Sequence, residues 1–162
     1  VLYLSVIGPD AICCSSVFSV CEQGNLWQRA FVVLAIMAKI ILEADVINYS
    51  CAISVCEKSA EWRRPLEILS SMDTAIVQPT TISYNATISA CEKGVEWQGA
   101  LALLSAMDRS TFHRDAISYN AAISVCGKGA EWQRALALLA ALDQGPFKPD
   151  TISYNAAISA CE

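Results

Sequence analysis

Apolar residues recur along this chain at helical spacing, not at strand spacing. Tyr84, Ile88 and Cys91 lie four and three positions apart, which is one stripe of a helix. Trp97, Ala100, Leu101, Leu104 and Met107 form a second stripe at the same spacing, in a segment dominated by the strong helix formers Ala, Leu, Glu and Gln. Glu92-Lys93-Gly94 separates the two. Glycine just past a helix is expected at a C′ site, where positive φ costs it little, and lysine at a helix end suits the macrodipole. Beyond the second stripe the pattern breaks, as at Gln144-Gly145-Pro146 and Pro149-Asp150. Pro9, Pro79 and Pro149 each sit just ahead of a new helical segment, where proline ends one helix and permits the next. The pattern predicts a succession of helix–turn–helix units.

These units have a fixed length. Cys21, Cys56, Cys91, Cys126 and Cys161 recur every 35 residues, as do Trp27, Trp62, Trp97 and Trp132, and Tyr49, Tyr84, Tyr119 and Tyr154. Segments 81–115 and 116–150 match at 22 of 35 positions without a gap. Four whole units follow, 11–45, 46–80, 81–115 and 116–150, between the tail of an earlier unit (1–10) and the start of a later one (151–162). The chain opens on Val1, and further units are expected on both sides. One helix pair cannot bury its apolar face alone, whereas stacked pairs share a continuous core. The expected fold is therefore all-α, a right-handed α-solenoid. Unit 46–80 is expected to be the least regular, because Pro65 falls early in its second helix and Ser59 replaces the turn glycine. Pro65 is tolerated in a first turn and kinks the helix if it lies deeper.

Composition narrows the class. Of the 162 residues, 54% are hydrophobic and 17% charged, which excludes intrinsic disorder, and 7 Gly and 5 Pro exclude collagen-like and low-complexity chains. The longest apolar run, Ala30 to Leu42, is too short to span a bilayer and holds Lys39, so no membrane segment is expected. No signal peptide is visible. Five of the eight cysteines follow the repeat, no C-x-x-C pair is present, and His113 is the single histidine. A zinc site is not expected, and neither is any cofactor. Packed helices lie about 8–10 Å apart, beyond the Cα reach of a disulfide. The repeated cysteines read as small core residues in a reducing compartment.

A strict 35-residue helix pair with Tyr-Asn, Ile-Ser-x-Cys and a terminal Pro-Asp resembles the pentatricopeptide repeat family. The stretches that carry this are Thr81-Ile-Ser-Tyr-Asn-Ala-Thr-Ile-Ser-Ala-Cys-Glu-Lys-Gly and Thr151-Ile-Ser-Tyr-Asn-Ala-Ala-Ile-Ser-Ala-Cys-Glu. The resemblance covers the full chain. Tetratricopeptide units are usually 34 residues long with a different Trp/Leu/Gly/Tyr pattern, absent here. Pentatricopeptide repeats read one RNA base per helical repeat, so the resemblance implies a concave groove for single-stranded RNA.

In that family the fifth and last residues of each unit read the base edge. Carried onto this chain, the reading pairs are Ser15 with Asp45, Ser50 with Thr80, Asn85 with Asp115, and Asn120 with Asp150, while Asn155 begins a fifth. The residues implied to pack between bases are Ile12, Ile47, Ile82, Ile117 and Ile152. Lys58, Lys93 and Lys128 are the implied phosphate contacts, a series that Gln23 breaks in the first unit. A carboxylate only accepts hydrogen bonds, so Asp115 and Asp150 suit uracil N3–H, where cytosine has no proton. The family's pairing rules imply G for the first unit and U for the third and fourth. Thr80 leaves the second a weak purine, and the implied site is 5′-G-R-U-U-3′. Organellar work, in a mitochondrion or chloroplast, on RNA processing, stability, editing or translation is likewise implied by the resemblance alone.

Structural readings compete with these. Asp45, Asp115 and Asp150 are good N-caps, the lysines are good dipole partners, and Asn85, Asn120 and Asn155 are polar residues in a first helical turn. The Trp series opens the apolar stripe of the second helix and is expected to pack between units rather than stack on bases. No catalytic constellation and no small-molecule substrate site is visible, so an enzyme is not expected. The formal net charge of −5 from 11 basic and 16 acidic residues weakens phosphate binding. It favours the other reading somewhat, a helical-repeat scaffold for a protein partner. The two readings differ in whether the lysines line one groove.

Overall fold

The computed structural model of the chain describes residues 11–24, 26–39, 46–58, 61–109 and 114–161. The tail 1–10, Ser59 and His113 lie outside the described residues. Among the described residues there are nine helices and no strand: α1 (Ala11–Gln23), α2 (Trp27–Lys39), α3 (Val46–Lys58), α4 (Arg63–Thr74), α5 (Thr81–Lys93), α6 (Trp97–Arg109), α7 (Ala116–Lys128), α8 (Trp132–Gln144) and α9 (Thr151–Ser159). The chain is an all-α helical-repeat solenoid.

The helices form two layers. The odd-numbered helices α1, α3, α5, α7 and α9 pack side by side in sequence order. Each even-numbered helix sits on the odd-numbered helix before it and the one after it. Among the described residues no two even-numbered helices bring their backbones as close as the odd-numbered ones, and only side chains bridge them. Close spacing in one layer and wide spacing in the other bends the array, with the odd-numbered helices on the inner, concave side.

Burial explains why the two layers differ in sequence. An odd-numbered helix is enclosed from several directions, so its buried positions go well beyond one stripe. In α7 they are Ser118, Ala122, Ile123, Val125 and Cys126. Small residues on these helices let neighbouring backbones approach, and Ile53, Ile88 and Ile123 fill the space beneath the second layer, each fully buried. Burying one such side chain stabilises by about 1.5–3 kcal/mol. The even-numbered helices bury a single face, such as Leu103, Leu104 and Met107 of α6.

The turn between paired helices departs from the expectation for its glycine. No described glycine has positive φ. Gly94 has φ −86° and sits one residue earlier, at the C-cap of α5. The left-handed residues are the next ones, Val95 at φ 55° and Ala130 at φ 58°. The Glu96 N–H donates to the Cys91 carbonyl at 2.9 Å and the Val95 N–H to the Glu92 carbonyl at 3.2 Å, which is a Schellman motif. Glycine is needed for a different reason. A Cβ on Gly94 would stand 2.1 Å from Cδ1 of Trp62, and one on Gly129 would stand 2.8 Å from Cδ1 of Trp97. Each glycine makes room for the tryptophan of the preceding unit.

The tryptophans therefore pack between units, and arginines extend the contact. Arg64 lies 5.4 Å from the ring of Trp27 and Arg134 lies 4.5 Å from that of Trp97, each reaching back one unit. Unit 81–115 has Gly99 at this position, and Trp62 is covered instead by its own neighbour Arg63 at 5.1 Å. Among its described residues, unit 46–80 also departs from the other units at its second helix. There α4 starts at Arg63, so Trp62 precedes the helix, whereas Trp97 and Trp132 open α6 and α8. Pro65 is the third residue of α4, inside the first turn, where its missing N–H breaks no helical bond.

Two substitutions test the contact. Gly94→Ala is expected to lower stability by about 1–3 kcal/mol, because the added methyl meets Cβ, Cγ and Cδ1 of Trp62, the stiff root of that side chain. Gly99→Arg is expected to raise it by about 1–2 kcal/mol, by removing a helical glycine and restoring the stack on Trp62. Urea unfolding followed by circular dichroism measures both.

Candidate nucleic-acid interface

The first turns of the odd-numbered helices line up along the concave layer. The second residues of α3, α5, α7 and α9 face solvent. Ile47, Ile82, Ile117 and Ile152 are 61–70% exposed, although isoleucine is usually buried. The 35-residue period turns four separate residues into one apolar row. Asp45 and the side chains of Ile12 and Ser15 lie outside the described residues.

Beside this row the expected reading pairs are joined by hydrogen bonds. The Asn85 Nδ2 donates to Oδ1 and Oδ2 of Asp115 at 3.2 and 3.3 Å. The Asn120 Nδ2 donates to Oδ1 of Asp150 at 3.4 Å. Both aspartates are also N-caps. Asp115 accepts the N–H of Ser118 at 2.8 Å and Asp150 that of Ser153 at 2.9 Å, each serine hydroxyl closing a capping box. The last residue of one unit thus starts the first helix of the next and holds the fifth residue of its own unit. The pair Ser50 and Thr80 is linked through a third hydroxyl, Ser83, which lies 3.1 Å from Ser50 Oγ and 3.2 Å from Thr80 Oγ1.

Capping shifts the titration of Asp150. The backbone N–H of Ser153, then its hydroxyl, hold this carboxyl below the ordinary 3.8.

The three lysines occupy the opposite ends of the same helices, and each is paired with an acid one unit back. Lys58 meets Glu22 at 2.9 Å, Lys93 meets Glu57 at 3.7 Å, and Lys128 meets Glu92 at 3.0 Å. The carboxylates are held in turn, Glu57 by the hydroxyl of Ser89 at 2.8 Å and Glu92 by that of Ser124 at 2.7 Å. All three lysine side chains remain at least 39% exposed. Such exposed pairs are worth about 0–1 kcal/mol, so an anion can compete for the lysine.

A cleft of about 720 Å³ between α7 and α9 gathers these groups in one place. Ile117, Asn120, Lys128, Glu92, Ile152 and Asn155 all line it. The structure thus brings two of the isoleucines, two of the asparagines and a lysine to one cleft. The tryptophans are elsewhere, at the turns between the paired helices of each unit. Burial pushes the thiols of Cys56 and Cys91 up to about 11, as suits core residues. Cys161, in the turn after α9, is exposed.

Sequence reasoning missed the serines. Ser83, Ser118 and Ser153 are fully buried and touch the fifth and last residues of the preceding unit. The signal was present as Thr-x-x-Ser at 80–83 and Asp-x-x-Ser at 115–118 and 150–153, a capping pattern with serine in place of Glu or Gln.

Comparison with known proteins agrees with this architecture. The family model described as pentatricopeptide repeat-containing protein matches residues 11–142. The crystal structure of the pentatricopeptide repeat protein PPR10 from maize is similar with a TM-score of 0.82 and 20% identity, over 94% of this chain and 22% of that one. PPR10 in complex with an 18-nt psaJ RNA element is similar with a TM-score of 0.81 and 22% identity, over 93% of this chain and 22% of that one. The PPR domain of Arabidopsis thaliana protein-only RNase P 1, in complex with tRNA, gives a TM-score of 0.79 and 14% identity, over 94% of this chain and 80% of that one. At these identities the likeness is one of fold. No curated protein matches the chain.

The Asp150 cap has a pH signature. A depressed carboxyl stabilises α9 above the ordinary carboxylate range, and that contribution is lost as pH falls through the lowered value. Carboxyl NMR titration is expected to place the Asp150 midpoint below 3.8, and Ser153→Ala is expected to move it upward.

Proposed function

The chain belongs to the pentatricopeptide repeat family, and on that premise we propose that it binds single-stranded RNA along its concave layer, one base per unit, in the order 5′-G-R-U-U-3′. The carrying observation is the row of exposed isoleucines beside asparagines tied to aspartates at a constant 35-residue step. Exposed Ile82, Ile117 and Ile152 offer apolar faces to bases. Asn85 with Asp115 and Asn120 with Asp150 offer acceptors to uracil N3–H, and cytosine has no proton there. Ser15 with Asp45 suits guanine, Ser50 with Thr80 a purine, and Asn155 begins the next site. The RNA carried by the PPR10 crystal structure supports the ligand class for a fold of this kind.

The lysines set the strength. Each phosphate contact at Lys58, Lys93 or Lys128 competes with Glu22, Glu57 or Glu92. Four units contact about four nucleotides, so this segment binds weakly, and further units would add affinity through linkage. By family membership the proposed setting is a mitochondrion or chloroplast, and the proposed task is RNA processing, stability, editing or translation. The Lys–Glu pairs also favour a second reading, a concave surface for a protein partner, because they neutralise the groove that a polyanion needs.

Fluorescence anisotropy with a short GAUU RNA and a GACC variant tests the first reading. Tighter binding of GAUU is expected, with log affinity falling against log salt with a slope near −2, about 0.7 per lysine engaged. Absence of binding by a folded, helical sample at high micromolar protein would turn the assignment toward the protein partner. Glu92→Gln is expected to raise RNA affinity by about 3-fold by releasing Lys128.

A further inference from the structure

We infer that Ser118 and Ser153 are positioning residues for base selection: each hydroxyl fixes the amide orientation of the reading asparagine in the unit before it. The inference rests on the base reading proposed above. It starts from burial. Among the described residues the buried polar ones are Asn48, Ser83, Thr87, Ser118 and Ser153. Four of these five are the third residue of a unit. Burying a polar side chain is costly unless it is fully bonded, and no described buried side-chain polar atom lacks a partner.

The bonds of Ser118 define a direction. Its Oγ lies 2.6 Å from Asn85 Oδ1 and 2.7 Å from Asp115 Oδ1, and it accepts the Asp115 N–H at 3.3 Å. A carboxylate cannot donate, so the amide atom of Asn85 that faces Asp115 is the nitrogen. The atom facing Ser118 is then the oxygen, and it shares the one serine hydroxyl proton with Asp115 Oδ1. Asp150, Asn120 and Ser153 repeat this arrangement, with the Ser153 Oγ 2.6 Å from Asn120 Oδ1. One contact alone leaves an amide free to swing about its Cβ–Cγ bond; two opposed contacts hold it.

Orientation decides the base. The held amide keeps one oxygen lone pair and one N–H for a ligand. Uracil offers N3–H beside carbonyl oxygens, which matches that pair. Cytosine offers an acceptor at N3 and a donor at its exocyclic amine, which matches the reversed amide. A serine in the following unit therefore sharpens the choice of uracil over cytosine. At the second nucleotide the cluster contains only the hydroxyls of Ser50, Thr80 and Ser83. Hydroxyls donate or accept equally well, so that cluster has no fixed direction and its base preference is broad.

The test compares wild-type chain with Ser118→Ala, Ser118→Thr and Ser153→Ala by NMR titration against GAUU, GACU and GAUC. Ser118→Ala is expected to reduce the preference for U over C at the third base by about 3- to 10-fold, the worth of one hydrogen bond, and to leave the fourth unchanged. Ser153→Ala is expected to do the reverse, and Ser118→Thr to retain the wild-type preference. In the free protein, Ser118→Ala is expected to shift the Asn85 side-chain amide resonances and not those of Asn120. A variant that weakened all three RNAs equally, or kept its third-base preference, would overturn the positioning role. A wild-type chain that bound GAUU and GACU alike would instead overturn base reading itself. The free-protein amide resonances, which need no RNA, distinguish the two failures: unmoved Asn85 signals in Ser118→Ala overturn the positioning role on their own.

Discussion

Each odd-numbered helix depends on its neighbours for cover, and that dependence organises everything else. A thirteen-residue helix such as α7, with buried residues on several sides, has no stable position except between α5 and α9 and beneath α6 and α8. The contact that sets the spacing is the approach of Trp62 to Gly94 and of Trp97 to Gly129. Because the same contact recurs at these two successive steps, the same rotation and rise recur there. Residues 35 apart in sequence then fall into columns. The exposed row Ile47, Ile82, Ile117 and Ile152 is a product of this interface, since no interaction among the isoleucines themselves could place them.

The boundary between units performs two tasks with one set of atoms. Asp115 and Asp150 must cap α7 and α9, and the same carboxylates engage Asn85 and Asn120. A cap requires a short polar acceptor with a fixed backbone, and fixed geometry is also what recognition requires. The structural and functional readings of these aspartates are therefore two descriptions of one hydrogen-bond cluster. The cluster also spans two units. A unit excised from the array would lose half of the groups that orient its asparagine.

Much of this was legible because it was local or periodic. The period, the helix pair, the fifth and last residues and the tryptophan packing follow from residue types at fixed intervals. The role of Gly94 was misjudged. A local argument assigned it positive φ, but Val95 takes that conformation and Gly94 answers to Trp62, 32 residues earlier. Ser118 escaped notice because it reads as a common helix residue until Asn85 is brought to within 2.6 Å. The lysines were found, but their partners were not. Glu57 and Lys93 lie 36 positions apart, and only stacking of α3 on α5 brings them together. What stayed hidden was in each case a contact across the unit boundary.

The lysine–glutamate pairs bear on how such a groove can select bases at all. Strong phosphate attraction binds every sequence alike and adds nothing to discrimination. Here each lysine has an acid held beside it by a serine or by the neighbouring helix, so the electrostatic contribution of each unit is small. The remaining contributions are apolar contact at the isoleucines and hydrogen bonding at the asparagines, and the second of these depends on the base. On the proposed reading, a weakly attractive backbone track with well-oriented readers makes each unit a poor binder and a relatively good discriminator. Length then supplies affinity, because each added unit contributes a further small term along the same groove. On this physical ground a repeat array can tolerate an acidic balance that would defeat a compact nucleic-acid-binding domain.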